Sequence, residues 1–253
     1  MTIKYNANLI DLNKPSSYPD FYSFFPKDFL DSEESFQENL KTQPKNWYYK
    51  NNTVLYSVNS QGYRCNDFKY LDWSNSIIVL GCSYIFGTSV TDHDTLPFRL
   101  QELSGIDVIN LGVTGGSQHT NLYNLVTLKM NGITPKAIVN AWPSSNRISN
   151  FYHDMTIFHS GPWNNWGFSD RFDYTENLSK FQTHKVNLNF SMKIVEMLFP
   201  DIPVFHTSMN KPDIDDRILY LPKIDFGRDL IHPGRKSHKA NANTIYNLIK
   251  KYL

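Results

Sequence analysis

The chain contains 253 residues, and its 25 Lys and Arg residues nearly balance its 24 Asp and Glu residues. This length suits one large domain, or one domain with an appendage. Because the basic residues form no stripe and no apolar run approaches a membrane span, we expect neither nucleic acid nor a membrane as a partner. The two cysteines, Cys65 and Cys82, are too few for a disulfide framework, and no Cys or His spacing indicates zinc, so no metal or other cofactor is expected.

The first part of the chain, residues 1–72, differs in character from the rest because prolines interrupt its regular elements. Residues 31–40 predict a short amphipathic helix, and residues 53–58 predict a strand. We expect this segment to be an N-terminal extension that packs on a core domain formed by residues 73–253.

A turn is predicted at residues 59–64, with Gly62 at positive φ. Arg64, which ends this turn, has two interpretations. It either packs at the edge of the sheet, which we favour, or binds an acidic group of a substrate.

From residue 76 onward, apolar runs of strand length alternate with helix-length segments. This alternation predicts a parallel sheet with helices on both faces, in a three-layer αβα, flavodoxin-like architecture. In the long helix predicted near residue 190, we expect Val186, Phe190, Ile194, Val195 and Leu198 to face the core. The predicted strands are residues 77–80, 107–111, 137–142 and 202–206, and the predicted helices are residues 95–103, 117–130, 185–199 and 240–253.

Ser83 follows the first of these strands, directly after the break at Gly81. In an open α/β sheet, ligands bind beyond the carboxyl ends of the strands. A serine at this point presents its hydroxyl to the crevice, beside backbone N–H groups, as a nucleophile requires. The alternative is a serine that only satisfies the N–H groups of its turn, and the turn by itself favours that alternative.

A candidate base lies near the end of the chain, at His232. Asp229 is on the same predicted loop, so its carboxylate could accept a hydrogen bond from the imidazole Nδ1–H and leave Nε2 free to take a proton from Ser83. Pro233 and Gly234 keep the imidazole on the loop. The alternative is a loop histidine that merely bonds its neighbour.

Three stretches together resemble blocks of the SGNH (GDSL-type) hydrolase superfamily, in the variant common in marine phage and bacterial genomes. Gly81-Cys82-Ser83-Tyr84 resembles the first block, with Cys82 in place of the usual aspartate. Asn110-Leu-Gly-Val-Thr-Gly115 resembles the second block, and Asp229-Leu-Ile-His232 the last. The resemblance covers about residues 76 to 253. It implies Ser83 as nucleophile, His232 and Asp229 as base and acid, and the N–H groups of Ser83 and Gly115 as oxyanion donors.

The third block of the family, G-x-N-D, is absent. The equivalent stretch, residues 139–147, resembles the version with tryptophan and arginine that the phage variant carries. In this version Ser144 or Ser145 stands near the position of the asparagine and would be the third oxyanion donor, and we expect Arg147 to bind substrate.

A long insertion, residues 146–180, follows the third predicted strand and is rich in aromatic residues. Because it leaves the carboxyl end of that strand, we expect it beside the catalytic crevice, where Trp163 and Trp166 could bind sugar rings. The alternative, a packed lid or an oligomer contact, is equally supported.

The resemblance implies a serine esterase that removes an acyl group, typically acetyl, from a glycan. The main alternative is an SGNH-like module with weakened catalysis that binds glycan or serves as a structural part of a phage particle. A sugar acyltransferase with the same catalytic residues is a third option. The partner expected is a small ester or an acylated glycan, and oligomerisation stays open. No signal peptide is visible at the N-terminus, so a cytoplasmic or virion-associated location is expected.

Overall fold

The computed structural model describes residues 10, 12, 22–24, 31–144, 147–151, 157–160, 183–209 and 216–253. The strands, in chain order, are β1 (Tyr22–Phe24), β2 (Tyr56–Val58), β3 (Ser76–Gly81), β4 (Asp107–Gly112), β5 (Ala137–Ala141), β6 (Ile148–Phe151), β7 (Ile157–Ser160), β8 (Val204–Ser208) and β9 (Leu219–Tyr220). The α-helices are α1 (Glu33–Thr42), α2 (Ser83–Phe86), α3 (Leu96–Ser104), α4 (Gln118–Met130), α5 (Thr183–Leu198) and α6 (Arg235–Ile249).

The central sheet has five parallel strands in the order β4-β3-β5-β8-β9. The four strands predicted from the sequence are present, with ends shifted by up to two residues, and β9 is an additional edge strand. From β3 the chain goes first to β4 on one side and then to β5 on the other, so the strand order reverses at β3. In a sheet of this topology, the crevice beyond the carboxyl ends of the strands at such a reversal is where ligands bind.

Alternate residues of β3 point to opposite faces of the sheet, as the period of a strand requires. Ile77 and Val79 pack against α3 and α6, whereas Ile78 and Leu80 pack against α4 and α5. All four side chains are fully buried. The three-layer αβα fold is therefore confirmed.

Helix α5 buries only part of the predicted stripe, since Val195 lies in the core and Leu198 packs against it. Val186 and Phe190, which we expected in the core, are 66% and 65% exposed. The buried stripe consists instead of residues spaced by three or four positions, which lie on one side of a helix. These residues are Leu188, Met192, Val195 and Phe199, the last directly after the helix.

The described part of the N-terminal segment packs on the core near Ser83. Its side chains form a cluster with Phe86 and Val90, two residues that follow Ser83 closely. The buried Arg64 donates hydrogen bonds to the carbonyls of Phe86, Gly87 and Val90, at 2.6 to 3.2 Å, and its Nε donates to Asp92 at 2.8 Å. These contacts favour the packing interpretation of Arg64, while the domain boundary at residue 72 stays a prediction. No helix in the described parts of the chain is both long and apolar enough to cross a membrane.

Candidate active site

Ser83 lies at the carboxyl end of β3, as the first residue of the short helix α2. Cys82, in extended conformation, connects strand and helix. Both side chains are buried, with Ser83 only 6% exposed. This position places the hydroxyl at the reversal of the strand order, beside the first N–H groups of the helix.

His232 reaches this hydroxyl from the loop that precedes α6. Its Nε2 lies 2.9 Å from Ser83 Oγ, which is hydrogen-bond distance. The other ring nitrogen, Nδ1, contacts Asp229 Oδ2. The structure therefore joins a hydroxyl, an imidazole and a carboxylate in one chain of hydrogen bonds, although Ser83 and His232 are 149 residues apart in sequence.

The carboxylate of Asp229 is held by its own loop. Its Oδ1 accepts hydrogen bonds from the backbone N–H groups of Ile231 and His232, each at 2.9 Å. Burial alone raises the pKa of this carboxyl, but the hydrogen bond and charge of His232, together with the two backbone N–H groups, outweigh burial and lower the pKa below its ordinary value. Because an ionised carboxylate can only accept, Nδ1 carries the proton and Nε2 presents its lone pair to Ser83.

The loop itself is closed by backbone hydrogen bonds. Gly227 N–H donates to the carbonyl of His232 at 2.9 Å, and Leu230 N–H donates to that of Gly227 at 3.1 Å. Leu230 has φ of 60°, a conformation that is uncommon for a residue with a side chain. These constraints keep His232 outside helix α6, which begins at Arg235.

Two of the predicted oxyanion donors lie in turns that contact each other. The turn after β4 is joined to the end of β3 by a 2.9 Å hydrogen bond from Val113 N–H to the carbonyl of Gly81. Gly115, in that turn, has φ of 74°, which favours glycine. Within the part of the chain that the structure describes, the N–H groups of Ser83 and Gly115 have no acceptor. Their role as oxyanion donors stays a prediction.

The third predicted donor is only partly described. Ser144 is half-buried, and its carbonyl accepts a 3.0 Å hydrogen bond from Arg147 N–H. Ser145, Trp163 and Trp166 lie outside the described residues. The beginning of the insertion is described as the antiparallel pair β6–β7.

Tyr84 is a site residue that the sequence did not assign. Its ring packs edge-on against the imidazole of His232, with 5.5 Å between ring centroids. Burial and Cys82 raise the pKa of Tyr84, and the positive charge of Arg147 acts in the opposite direction. The role of Arg147 in substrate binding stays a prediction.

A scan against protein-family models finds no match, and a search of the curated proteins finds none either. Solved structures do show similarity. One is a carbohydrate esterase family 2 enzyme plus carbohydrate-binding domain from Corynascus thermopiles (Myceliophthora fergusii), with 12% identity, a TM-score of 0.43, and 70% of this chain and 66% of that chain covered. A second, described as a GDSL-like lipase from Bacteroides ovatus, has 14% identity and a TM-score of 0.41, with 71% and 53% covered. A third is the psychrotrophic esterase EstA from Pseudoalteromonas sp., with 14% identity, a TM-score of 0.35, and 71% and 98% covered.

The chain thus spans less than two thirds of the first two of these proteins. The descriptions are of esterases and a lipase, and one of them names the GDSL type that the sequence blocks resemble. At such identities and scores the likeness carries no chemistry over to this chain.

Proposed function

We propose that the protein is a serine esterase of the SGNH type, with Ser83 as nucleophile, His232 as general base and acid, and Asp229 as the group that orients His232. The observation that supports this most directly is the 2.9 Å contact between Ser83 Oγ and His232 Nε2, with Asp229 on the other ring nitrogen. A base and a nucleophile within hydrogen-bond reach, with the base oriented by a third group, are the requirements of covalent acyl transfer.

The reaction would proceed in two halves. Ser83 Oγ attacks the ester carbonyl while its proton passes to His232 Nε2, and the oxyanion receives hydrogen bonds from the N–H groups of Ser83 and Gly115. His232 then returns the proton to the alcohol as the bond between the carbonyl carbon and the alcohol oxygen breaks. Water, activated by His232 in the same way, attacks the acyl-enzyme and releases the acid and Ser83.

For the substrate we propose an acylated glycan, and removal of O-acetyl groups in particular. Two features of the chain support this. Trp163 and Trp166 belong to an insertion whose first strand, β6, is anchored beside the turn of the second block, because Ser149 Oγ lies 2.7 Å from Ser117 Oγ. Indole rings there would pack on the apolar faces of sugars. Arg147 would bind a polar group of the same substrate.

The test is hydrolysis of p-nitrophenyl acetate, combined with labelling by a serine-reactive fluorophosphonate. We expect wild-type protein to hydrolyse the ester and to take one label at Ser83, and Ser83→Ala to do neither while keeping its melting temperature. Thr88→Val is a matched control, because the Thr88 hydroxyl is also buried near α2 but has no hydrogen-bond partner among the described residues. This variant should keep both activities.

Equal residual activity in wild type and Ser83→Ala, with no labelling, would contradict the esterase assignment. It would instead favour the module with weakened catalysis, for which the missing G-x-N-D block is the supporting observation.

A further inference from the structure

A closed ring of hydrogen bonds joins the N-terminal segment to the loops around the active site. Its members Asp31, Tyr56, Ser89 and Arg228 are all buried. Asp31 Oδ2 accepts from the Tyr56 hydroxyl at 2.6 Å, and the oxygen of that hydroxyl accepts from Ser89 N–H at 2.7 Å. The Ser89 carbonyl accepts from Arg228 N–H at 3.1 Å, and Arg228 Nε donates to Asp31 Oδ1 at 2.8 Å, which closes the ring.

Ser89 is the member of the ring that contacts Asp229, the proposed acid of the active site. It lies in the loop that follows α2, and its φ of 73° is uncommon for a residue other than glycine. Its hydroxyl oxygen accepts a 3.3 Å hydrogen bond from the backbone N–H of Asp229. Since such a conformation persists only where the surroundings impose it, the hydrogen bond from Ser89 to Tyr56 contributes to the position of the Asp229 backbone.

The side chain and the backbone of Arg228, which directly precedes Asp229, both contact the N-terminal segment. Its Nη2 donates to the carbonyl of Asp31 at 3.1 Å, and its guanidinium lies 4.7 Å from the ring centroid of Phe36. At the backbone, its carbonyl accepts from the side chain of Asn39 at 3.0 Å. The start of the loop that carries Asp229 and His232 is therefore fixed by residues of α1 and of the turn before it.

We propose that Asp31 and Tyr56 are positioning residues for the reaction at Ser83, which fix the Asp229–His232 loop through Arg228 and Ser89. This inference rests on the proposed function. Removal of one partner of the ring leaves a buried donor or charge without its counterpart, which the loop can relieve only by moving. Small displacements of a base relative to its nucleophile reduce the rate strongly, even though substrate binding is unaffected.

A ring that only stabilises the fold would behave differently. Its loss would lower the melting temperature and leave the geometry at His232 intact in the molecules that stay folded. Two measurements separate these roles, both made well below the melting temperature. One is the split between kcat and KM, and the other is the proton NMR resonance of His232 Nδ1–H, assigned by its absence in His232→Gln.

The decisive comparison is Tyr56→Phe against Tyr49→Phe in the full chain. Both substitutions remove one buried hydroxyl from the same N-terminal cluster, but the Tyr49 hydroxyl has no hydrogen-bond partner among the described residues. We expect Tyr56→Phe to lower kcat for p-nitrophenyl acetate by about tenfold or more with KM nearly unchanged, and to broaden or shift the Nδ1–H resonance. Tyr49→Phe should leave kcat and the resonance as in wild type.

Folded Tyr56→Phe with wild-type kcat and an unchanged resonance would overturn the proposal. If Tyr56→Phe does not fold, Asp31→Asn replaces it, because an asparagine oxygen can still accept from Tyr56 while the charge facing Arg228 is lost. A failure of the proposed function looks different, since wild type would then be no more active than Ser83→Ala. In that case the resonance alone, compared between Tyr56→Phe and Tyr49→Phe, still decides whether the ring positions His232.

Discussion

Gly112 lies directly against the backbone of Phe86. A Cβ at Gly112 would be 2.2 Å from Phe86 N, a distance that no side chain can occupy. Gly112 ends strand β4, whereas Phe86 belongs to α2, the helix that begins with Ser83. The glycine of the second sequence block therefore allows the helix of the first block, which begins with Ser83, to pack closely on the end of β4.

We expect Gly112→Ala to displace α2 and so to reduce both stability and catalysis. The added methyl group meets backbone atoms rather than a flexible side chain, so the cost should exceed the about 1–3 kcal/mol typical of overpacking. The measurements are the free energy of unfolding and kcat for p-nitrophenyl acetate. Gly105→Ala is the control. A Cβ at Gly105 would meet no atom within 4 Å, so this variant tests only the backbone strain that alanine suffers at a φ of 67°. It should lower stability and keep kcat, and a Gly112→Ala variant with full kcat would contradict the assigned role of this contact.

The third oxyanion donor can be identified by comparing Ser144→Ala with Ser145→Ala. Loss of a side-chain donor to the oxyanion typically reduces kcat by about 10²-fold or more. We expect one of the two variants to show a loss of this size, with KM for p-nitrophenyl acetate little changed, and the other to resemble wild type. Full kcat in both variants would mean that the third donor is absent or comes from another residue, such as Asn146.

The contacts at Ser83 could be predicted from the sequence because short patterns mark both loops. A small-residue break at Gly81 ends the strand before Ser83, and Pro233-Gly234 separates His232 from the following helix. In a parallel sheet the loops that follow the strands all lie at the carboxyl ends of the strands, so the proximity of these two loops follows from the predicted fold.

Other features have no comparable signal. The pair of Asp31 and Arg228 joins residues 197 positions apart, and no local pattern announces it. Strand β9 has only two residues, which is too short for a period to be visible. Helix α5 contains two apolar stripes, and the sequence cannot tell which of them the sheet covers; Val186 and Phe190 were assigned wrongly for this reason.

The pH dependence of stability should reveal the ionised state of Asp229. Because its pKa is lowered in the folded protein, its contribution to stability is fully present above the unfolded value, about 4, and is lost as the pH falls through the lower folded value. Asp229→Asn resembles the protonated acid, so we expect its unfolding free energy to be lower than that of wild type at pH 7 and to converge with it below about pH 4. Asp201→Asn, at an exposed position, is the control for the loss of one carboxylate, and its unfolding free energy at pH 7 should stay close to that of wild type.

The same substitution should also remove catalysis. An asparagine can donate to Nδ1 and so place the imidazole proton on Nε2, where it blocks the transfer from Ser83. We expect kcat to fall by about 10⁴-fold, with fluorophosphonate labelling slowed in parallel. Retention of more than a tenth of wild-type kcat by Asp229→Asn would show that another group orients His232.

The proposed glycan specificity depends on Trp163 and Trp166, and truncation of either should separate two substrates. A polymer uses contacts remote from the ester to position it, whereas p-nitrophenyl acetate needs only the nucleophile, the base and the oxyanion donors. We therefore expect Trp163→Ala and Trp166→Ala to reduce deacetylation of an acetylated polysaccharide at least about tenfold and to leave p-nitrophenyl acetate hydrolysis nearly unchanged. Trp73→Ala is the control, because the partly buried Trp73 packs against the core just before β3, at the end of the strand opposite to Ser83. Its loss should lower the melting temperature without distinguishing the substrates. If the insertion tryptophans behave like Trp73, with parallel loss of both activities and a lower melting temperature, they form a packed lid, and the esterase would have to recognise its substrate elsewhere.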